Sequence, residues 1–285
     1  MSIEIVVSKQ NPDGGWPYGR GASWTEPTVY AILALLTAGE IQPARRGLDW
    51  IRARQLADGG WPARAGVDES AWVTALVALI PLEYLGAALH GRAIAWLLAC
   101  QGQESSATYR FREWLLGHPR TPEEEFAGWP WVPGTAAWVG PTSLAVLALD
   151  KEQRRKPSEG IRTRIDEGRR YLLQRMCKEG GWNHGSARAL GYESSPYPET
   201  TGMALAALRG VHTPEVDRSL ALAQRFLATC RSADALNWLR LGLLAHGQLE
   251  PGFRPSAPLT CRTVPETSLD LLVAEAQTRR EVFWD

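Results

Sequence analysis

Cysteine is scarce and scattered in this chain: Cys100, Cys177, Cys230 and Cys261 form no C-x-x-C pair, which excludes a zinc knuckle and a disulfide framework. A reducing compartment is expected. Neither charge is in surplus, with 31 basic and 31 acidic residues, so nucleic acid and other polyanions are disfavoured partners. The basic cluster Arg154, Arg155, Lys156 and Arg162 has no interleaved aromatics and reads as a solvated surface. Long apolar runs are also missing: Val29 to Leu36 and Ala71 to Ile80 fall short of the roughly 18 residues that span a bilayer. The start, Met1 to Gln10, lacks the basic and apolar regions of a secretory signal. A cytoplasmic protein is expected, with any membrane contact peripheral.

What the chain has instead is tryptophan, 13 residues of it, and an internal repeat. Gln10-Asn-Pro-Asp-Gly-Gly-Trp16 recurs as Gln55-Leu-Ala-Asp-Gly-Gly-Trp61, more loosely as Gln174 through Glu179-Gly-Gly-Trp182, and in degenerate form as Phe126-Ala-Gly-Trp129. Each copy precedes a triplet that opens an apolar run: Glu26-Pro-Thr28, Glu69-Ser-Ala71, Gly140-Pro-Thr142 and Glu199-Thr-Thr201, with Glu266-Thr-Ser268 opening a later one. Glu complements the helix dipole, Pro suits the first helical position, and Ser or Thr satisfies free N–H groups, so the triplets read as helix starts.

The runs that follow are apolar on nearly every side, which requires burial all round. The segments ahead of the Gly-Gly-Trp copies are one-sided: Leu48, Ile51 and Gln55 share a face while Arg46, Asp49, Arg52 and Arg54 occupy others. Alternation of these two kinds predicts concentric rings in one domain over residues 1–285, an all-α (α/α)6 toroid. Inner helices are expected to begin near residues 26, 69, 141, 199, 235 and 266. An irregular insertion covers about 102–138, and the connector from Gln248 to Val264 reads as helix-free.

The Q-x-x-D-G-G-W segment followed by an E-x-T helix start resembles the repeat of squalene-hopene and oxidosqualene cyclases, shared more loosely with protein prenyltransferase β subunits. Gln can bond backbone groups of the next turn, Gly-Gly permits a tight reversal and Trp packs between helices, so the repeat itself is architectural.

Chemistry belongs to the acidic half of the repeat. Inner helices starting at one end would place Glu26, Asp68, Glu69, Glu199 and Glu266 round one mouth. Gly66-Val-Asp-Glu-Ser-Ala71 resembles the D-x-D-D-T-A segment of class II terpene cyclases, with Gly66 where the family has its first Asp. The resemblance implies Asp68 as the acid that protonates an alkene or epoxide, with Glu69 beside it, and a polyprenyl or isoprenoid substrate in the lumen. Tyr30, Trp72, Trp129, Trp131 and Trp138 are candidate lining residues, since aromatic faces stabilise carbocations. A noncatalytic toroid binding an isoprenoid, peptide or partner protein is the alternative. A prenyltransferase-like subunit is less favoured, because no D-x-C segment opens an inner helix. No metal or other cofactor is expected, since the D-D-x-x-D segment and the C-G-E-Q segment of thioester domains are also absent. The insertion carries Tyr109, Phe111, Trp114, Trp129 and Trp131, either to cover the mouth or to anchor the loop. Glu123-Glu124-Glu125 reads as a solvated turn.

Overall fold

The computed structural model describes residues 2–117, 126–185, 188–189, 192–250, 252–253, 259–279 and 283–284, so the Glu123–Glu125 run lies outside the described residues. In chain order the helices are α1 (Ser2–Ser8), α2 (Thr25–Thr37), α3 (Ile41–Arg52), α4 (Val73–Ala78), the single turn α5 (Leu82–Leu85), α6 (Ala87–Ala99), α7 (Ala107–Leu115), α8 (Val139–Arg155), α9 (Glu159–Gln174), α10 (Pro198–Ala207), α11 (Pro214–Thr229), α12 (Ala233–Ala245) and α13 (Val264–Arg279). Among the described residues a two-residue ladder, β1 (Arg188–Ala189) with β2 (Tyr192–Glu193), and three isolated bridges accompany the helices.

The ring closes. Helix α2 packs on α4, α4 on α8, α8 on α10, α10 on α12, α12 on α13, and α13 back on α2. These six are the all-round apolar helices, and burial on every side is what their sequences required. Helices α1, α3, α6, α9 and α11 lie outside them, α1 against α13 and α2. No helix is found in the described part of the connector between α12 and α13, matching the reading of residues 248–264.

Four buried tryptophans join the rings by one recurring arrangement. The indole N–H groups of Trp16, Trp61, Trp129 and Trp182 donate to the carbonyls of Val6, Ile51, Leu97 and Leu172 in outer helices, at 2.6–2.9 Å. Their backbone N–H groups donate to Thr28, Thr74, Thr142 and Thr201 of inner helices, at 2.9–3.1 Å. Phe126-Ala-Gly-Trp129 is thus a working copy despite having lost Gln and Asp. There Arg164, buried under the turn with its guanidinium 3.4 Å from the Trp129 ring centroid, donates to the carbonyls of Cys100, Ala127 and Gly128. In the two complete copies Gln10 and Gln55 each bond two backbone carbonyls. The Gly-Gly pair is required for two different reasons. Gly14 and Gly59 have φ of 93° and 97°, whereas a Cβ on Gly15 or Gly60 would fall 2.6 or 2.4 Å from Ser23 or Ser70.

Helices α10 and α12 cross backbone to backbone. A Cβ on Gly202 would sit 2.3 Å from the Trp238 carbonyl carbon, and one on Gly242 would sit 2.6 Å from the Gly202 oxygen. Neither obstacle is a side chain that can turn away. Gly202→Ala is therefore expected to force the two inner helices apart and cost about 3 kcal/mol or more, the upper end of overpacking penalties, seen as a lowered urea midpoint. An unchanged midpoint would show that the crossing yields.

Candidate functional site

A relay of backbone hydrogen bonds holds the inner-helix starts at one end of the ring. Val264 N–H at the start of α13 donates to Tyr18, in the turn feeding α2; Thr25, starting α2, donates to Ala63, ahead of α4; Trp72, before α4, donates to Trp131, ahead of α8; Val139, starting α8, donates to His184, ahead of α10. Each of these inner helices is tied to the turn that feeds the next. The relay gathers the starts of α13, α2, α4 and α8 and the turn ahead of α10 at one end.

The mouth has two unlike sides. Consecutive inner helices α10, α12, α13 and α2 contribute Glu199, Asp234, Glu266 and Glu26, all half-buried. The Tyr18 hydroxyl donates to Glu26 Oε2. Burial raises the Glu26 carboxyl to about 7 against the pull of the Tyr18 bond, and the Asp234 charge adds to the rise. Asp234 is raised to about 6, chiefly by burial and then by Glu199 and Glu266. Tyr30 lies fully buried near them, its hydroxyl pushed well up by burial, Glu26 and Asp234. Glu266 also shapes the backbone. Its Oε2 accepts the N–H groups of Arg262 and Thr263, while Thr263 Oγ1 accepts the Glu266 N–H, a capping box. His184 Nε2 is 3.4 Å from Glu199 Oε1, and the imidazole lies beside the Tyr197 ring. One turn further in, buried Arg240 donates to Asp270 Oδ1 at 2.8 Å and Asn237 Oδ1 at 2.9 Å.

The other side is aromatic. Trp72 and Trp131 meet edge to face, 5.0 Å between centroids. Trp131 and Trp138 each expose 37% of their surface. Gly140 lies beside Trp131 and Met203, and Gly185 beside the Trp138 ring. From the second turn inward the side chains of α2, α8 and α12 are buried for about two turns, and all of the short α4 is buried.

Other expected site residues lie elsewhere. Trp129 does not reach the mouth: it is 2% exposed and fixed between α6 and α8 by its two hydrogen bonds. Asp68 and Glu69 are exposed on the turn ahead of α4, which begins only at Val73. The register is set by Ser70, whose hydroxyl donates to Asp58 as Ser23 donates to Asp13. This fixes Glu69 outside the helix, whereas Glu26 follows Ser23 and enters it. Sequence reasoning missed Asp234 and Tyr18. Asp234 belongs to an inner helix with no Gly-Gly-Trp turn before it, and its signal is Ser232, whose hydroxyl caps the helix by accepting the Ala235 N–H.

Among the described residues no group of three His, Cys, Asp or Glu side chains is placed to hold a metal ion, and no helix is long and apolar enough to cross a membrane.

No family model matches the chain. Lanosterol synthase of Saccharomyces cerevisiae is 30% identical over 129 residues, 39% of this chain and 17% of that protein. An MMP endo-(1,4)-3-O-methyl-alpha-D-mannosidase of Mycolicibacterium hassiacum is 39% identical over 75 residues, 25% of this chain and 21% of that one. The matches therefore span about a fifth of these relatives' length. Among solved structures, endoglucanase Cel10 of Klebsiella pneumoniae, a family 8 glycosyl hydrolase, superposes with a TM-score of 0.61 at 13% identity, covering 98% of this chain and 99% of that one. The type II terpene cyclase MstE of Scytonema gives 0.54 at 16% identity, covering 97% and 75%. The chain thus has an α/α-toroid fold, which the endoglucanase Cel10 and the type II terpene cyclase MstE share.

Proposed function

We propose that the mouth binds a carbohydrate and that Glu26 donates a proton to a glycosidic oxygen there. The observation that carries this reading is the pairing of a carboxyl raised to about 7, Glu26, with a second carboxyl raised to about 6, Asp234, opposite exposed indole faces. Of the two, Glu26 keeps its proton to the higher pH and Asp234 gives its own up first. That is the division of labour of glycoside hydrolysis, in which one carboxyl protonates the leaving oxygen and a carboxylate assists attack at the anomeric carbon. Asp234 takes the proton of the attacking water. Trp131 and Trp138 offer flat apolar surfaces to sugar rings, and the acidic arc offers acceptors to hydroxyl groups. The mannosidase and the endoglucanase among the similar proteins act on such bonds.

Cyclization of an isoprenoid, started by Asp68, is the second reading, favoured by the terpene cyclases among the similar proteins. Its physical demand is the opposite one. Protonating an alkene takes a strong acid shielded from water, while Glu26 is weakened as an acid and Asp68 is exposed.

Incubation with α-mannans, β-1,4-glucans and a set of prenyl substrates, read by mass spectrometry, separates the readings. Release of oligosaccharides that survives Asp68→Asn and is lost in Glu26→Gln is the expected result. A prenyl product lost in Asp68→Asn would sink the carbohydrate assignment. Turnover of no substrate would leave the noncatalytic toroid.

A further inference from the structure

Helix α7 wears its apolar face outward. Phe111, Trp114, Leu115 and the following Leu116 are 62%, 72%, 69% and 58% exposed. The first three stand at i, i+3 and i+4, so they form one stripe along the helix. Arg110 and Arg112 fall about 100° to either side of Phe111 and are exposed. The half-buried Tyr109 and Glu113 occupy the opposite face. Arg112 is held at its flanking position by an ion pair with Glu113 at 2.9 Å and by stacking over Tyr109, 4.8 Å from the ring centroid. A cluster of this size on a short helix is far beyond the scattered single apolar residues of ordinary surfaces.

The helix is an arm with a fixed base. It packs on the short 3-10 turn Gln103–Ser105. That turn is fastened to the mouth segment: Gly102 N–H donates to Gly128, Gln103 N–H to Thr135, and buried Glu104 accepts the Ala137 N–H. Ser106 caps the helix by accepting the Tyr109 N–H. The arm therefore belongs to the mouth end of the toroid, and its rings stay exposed.

We propose that α7 seats the mouth end of the toroid on an anionic phospholipid surface. Phe, Trp and Leu on one stripe enter the boundary between headgroups and acyl chains, while the flanking arginines meet lipid phosphates from both sides. The flanking charge is what selects this occupant over a second copy of the chain. Two copies joined through the stripe would bring four arginines together, whereas an anionic bilayer neutralises them.

Flotation of the full chain with vesicles of phosphatidylcholine containing about a third phosphatidylglycerol, at low and at raised salt, tests the proposal. The chain is expected to float with these vesicles and to bind pure phosphatidylcholine at least tenfold more weakly. Phe111→Ser with Trp114→Ser and Leu115→Ser should lower binding at least tenfold, and Arg110→Gln with Arg112→Gln should lower it similarly while removing most of its salt dependence. These residues are exposed, so both variants should keep the wild-type melting temperature. Failure of the wild type to float, or undiminished binding by the apolar triple variant, would overturn the proposal. So would a wild-type dimer that the triple variant converts to monomer without any vesicle binding.

Discussion

Glu26→Gln is expected to remove two to four orders of magnitude of turnover and, at the same time, to make the protein more resistant to heat at pH 8. The first effect is the usual worth of a positioned general acid. The second follows from linkage. Glu26 titrates near 7 in the folded chain, above the ordinary Glu range, so between about pH 4.5 and 7 the unfolded chain releases a proton that the folded chain keeps. Folding stability therefore falls as pH rises through that window, and the loss is complete above it. A shift of this size corresponds to at most about 3 kcal/mol, reduced by the water that reaches a half-buried rim. Glutamine keeps the shape, accepts the Tyr18 hydroxyl and carries no proton to lose. The variant should match the wild type at pH 5 and melt several degrees higher at pH 8. Asp234, raised by burial and by its acidic neighbours, adds a slope of the same sign that remains in the variant.

The wild-type pH profile of kcat/KM should be a narrow bell, with an acid limb near 6 from Asp234 and an alkaline limb near 7 from Glu26, both belonging to the coupled pair. Tyr18→Phe supplies the internal check. The Tyr18 hydroxyl favours the ionised carboxylate, so its removal should move the alkaline limb upward. A limb that stays in place would show that Glu26 is not the proton donor. A Glu26→Gln protein with full activity would show that the raised carboxyl is a cost of crowding acids at one rim and nothing more.

How much of this was legible in the sequence depends on which half of the repeat is considered. The architectural role of the Gly-Gly-Trp half could be read directly because a tight reversal needs glycine and a large apolar ring needs burial, while its indole and threonine hydrogen bonds emerge only from the structure. The acidic half could not, because an acid near a helix start looks the same whether it faces the lumen or the solvent. Glu26 and Glu69 both precede apolar runs, yet the Ser23 and Ser70 anchors put one inside its helix and the other outside. Asp234 lacks the turn that made its counterparts visible, and its importance arises from Glu199 and Glu266, distant in sequence. The spacing of Phe111, Trp114 and Leu115 likewise fits a buried stripe and an exposed one equally well. Only the tertiary structure tells which face α7 turns outward.

The largest loss of stability is expected from Trp61→Ala. Its side chain is fully buried, its indole N–H donates to Ile51 at 2.8 Å, and it lies where the outer and inner rings meet. Truncation removes the apolar contact of the largest side chain and leaves a cavity that the flanking helices cannot close without moving both rings, a cost of about 3–5 kcal/mol. It also removes the indole bond to the Ile51 carbonyl, which keeps the Arg54 N–H as its other donor. Against a total stability of about 5–15 kcal/mol, the variant should be close to unfolding at ordinary temperature, visible as a collapse of the urea midpoint. Two milder changes separate the contributions. Trp61→Phe restores most of the volume without the donor, and should lose about 0.5–1.5 kcal/mol with the one indole bond, since the Ile51 carbonyl keeps the Arg54 N–H. Thr74→Val keeps the volume of the inner helix but leaves the buried Trp61 backbone N–H without its acceptor, at a cost of about 1–3 kcal/mol. If Trp61→Ala cost no more than Thr74→Val, the tryptophan would be filling space that the toroid can give up. Its place as the pin between the rings would then pass to the hydrogen-bonded turn formed by Asp58, Gly60 and Ser70.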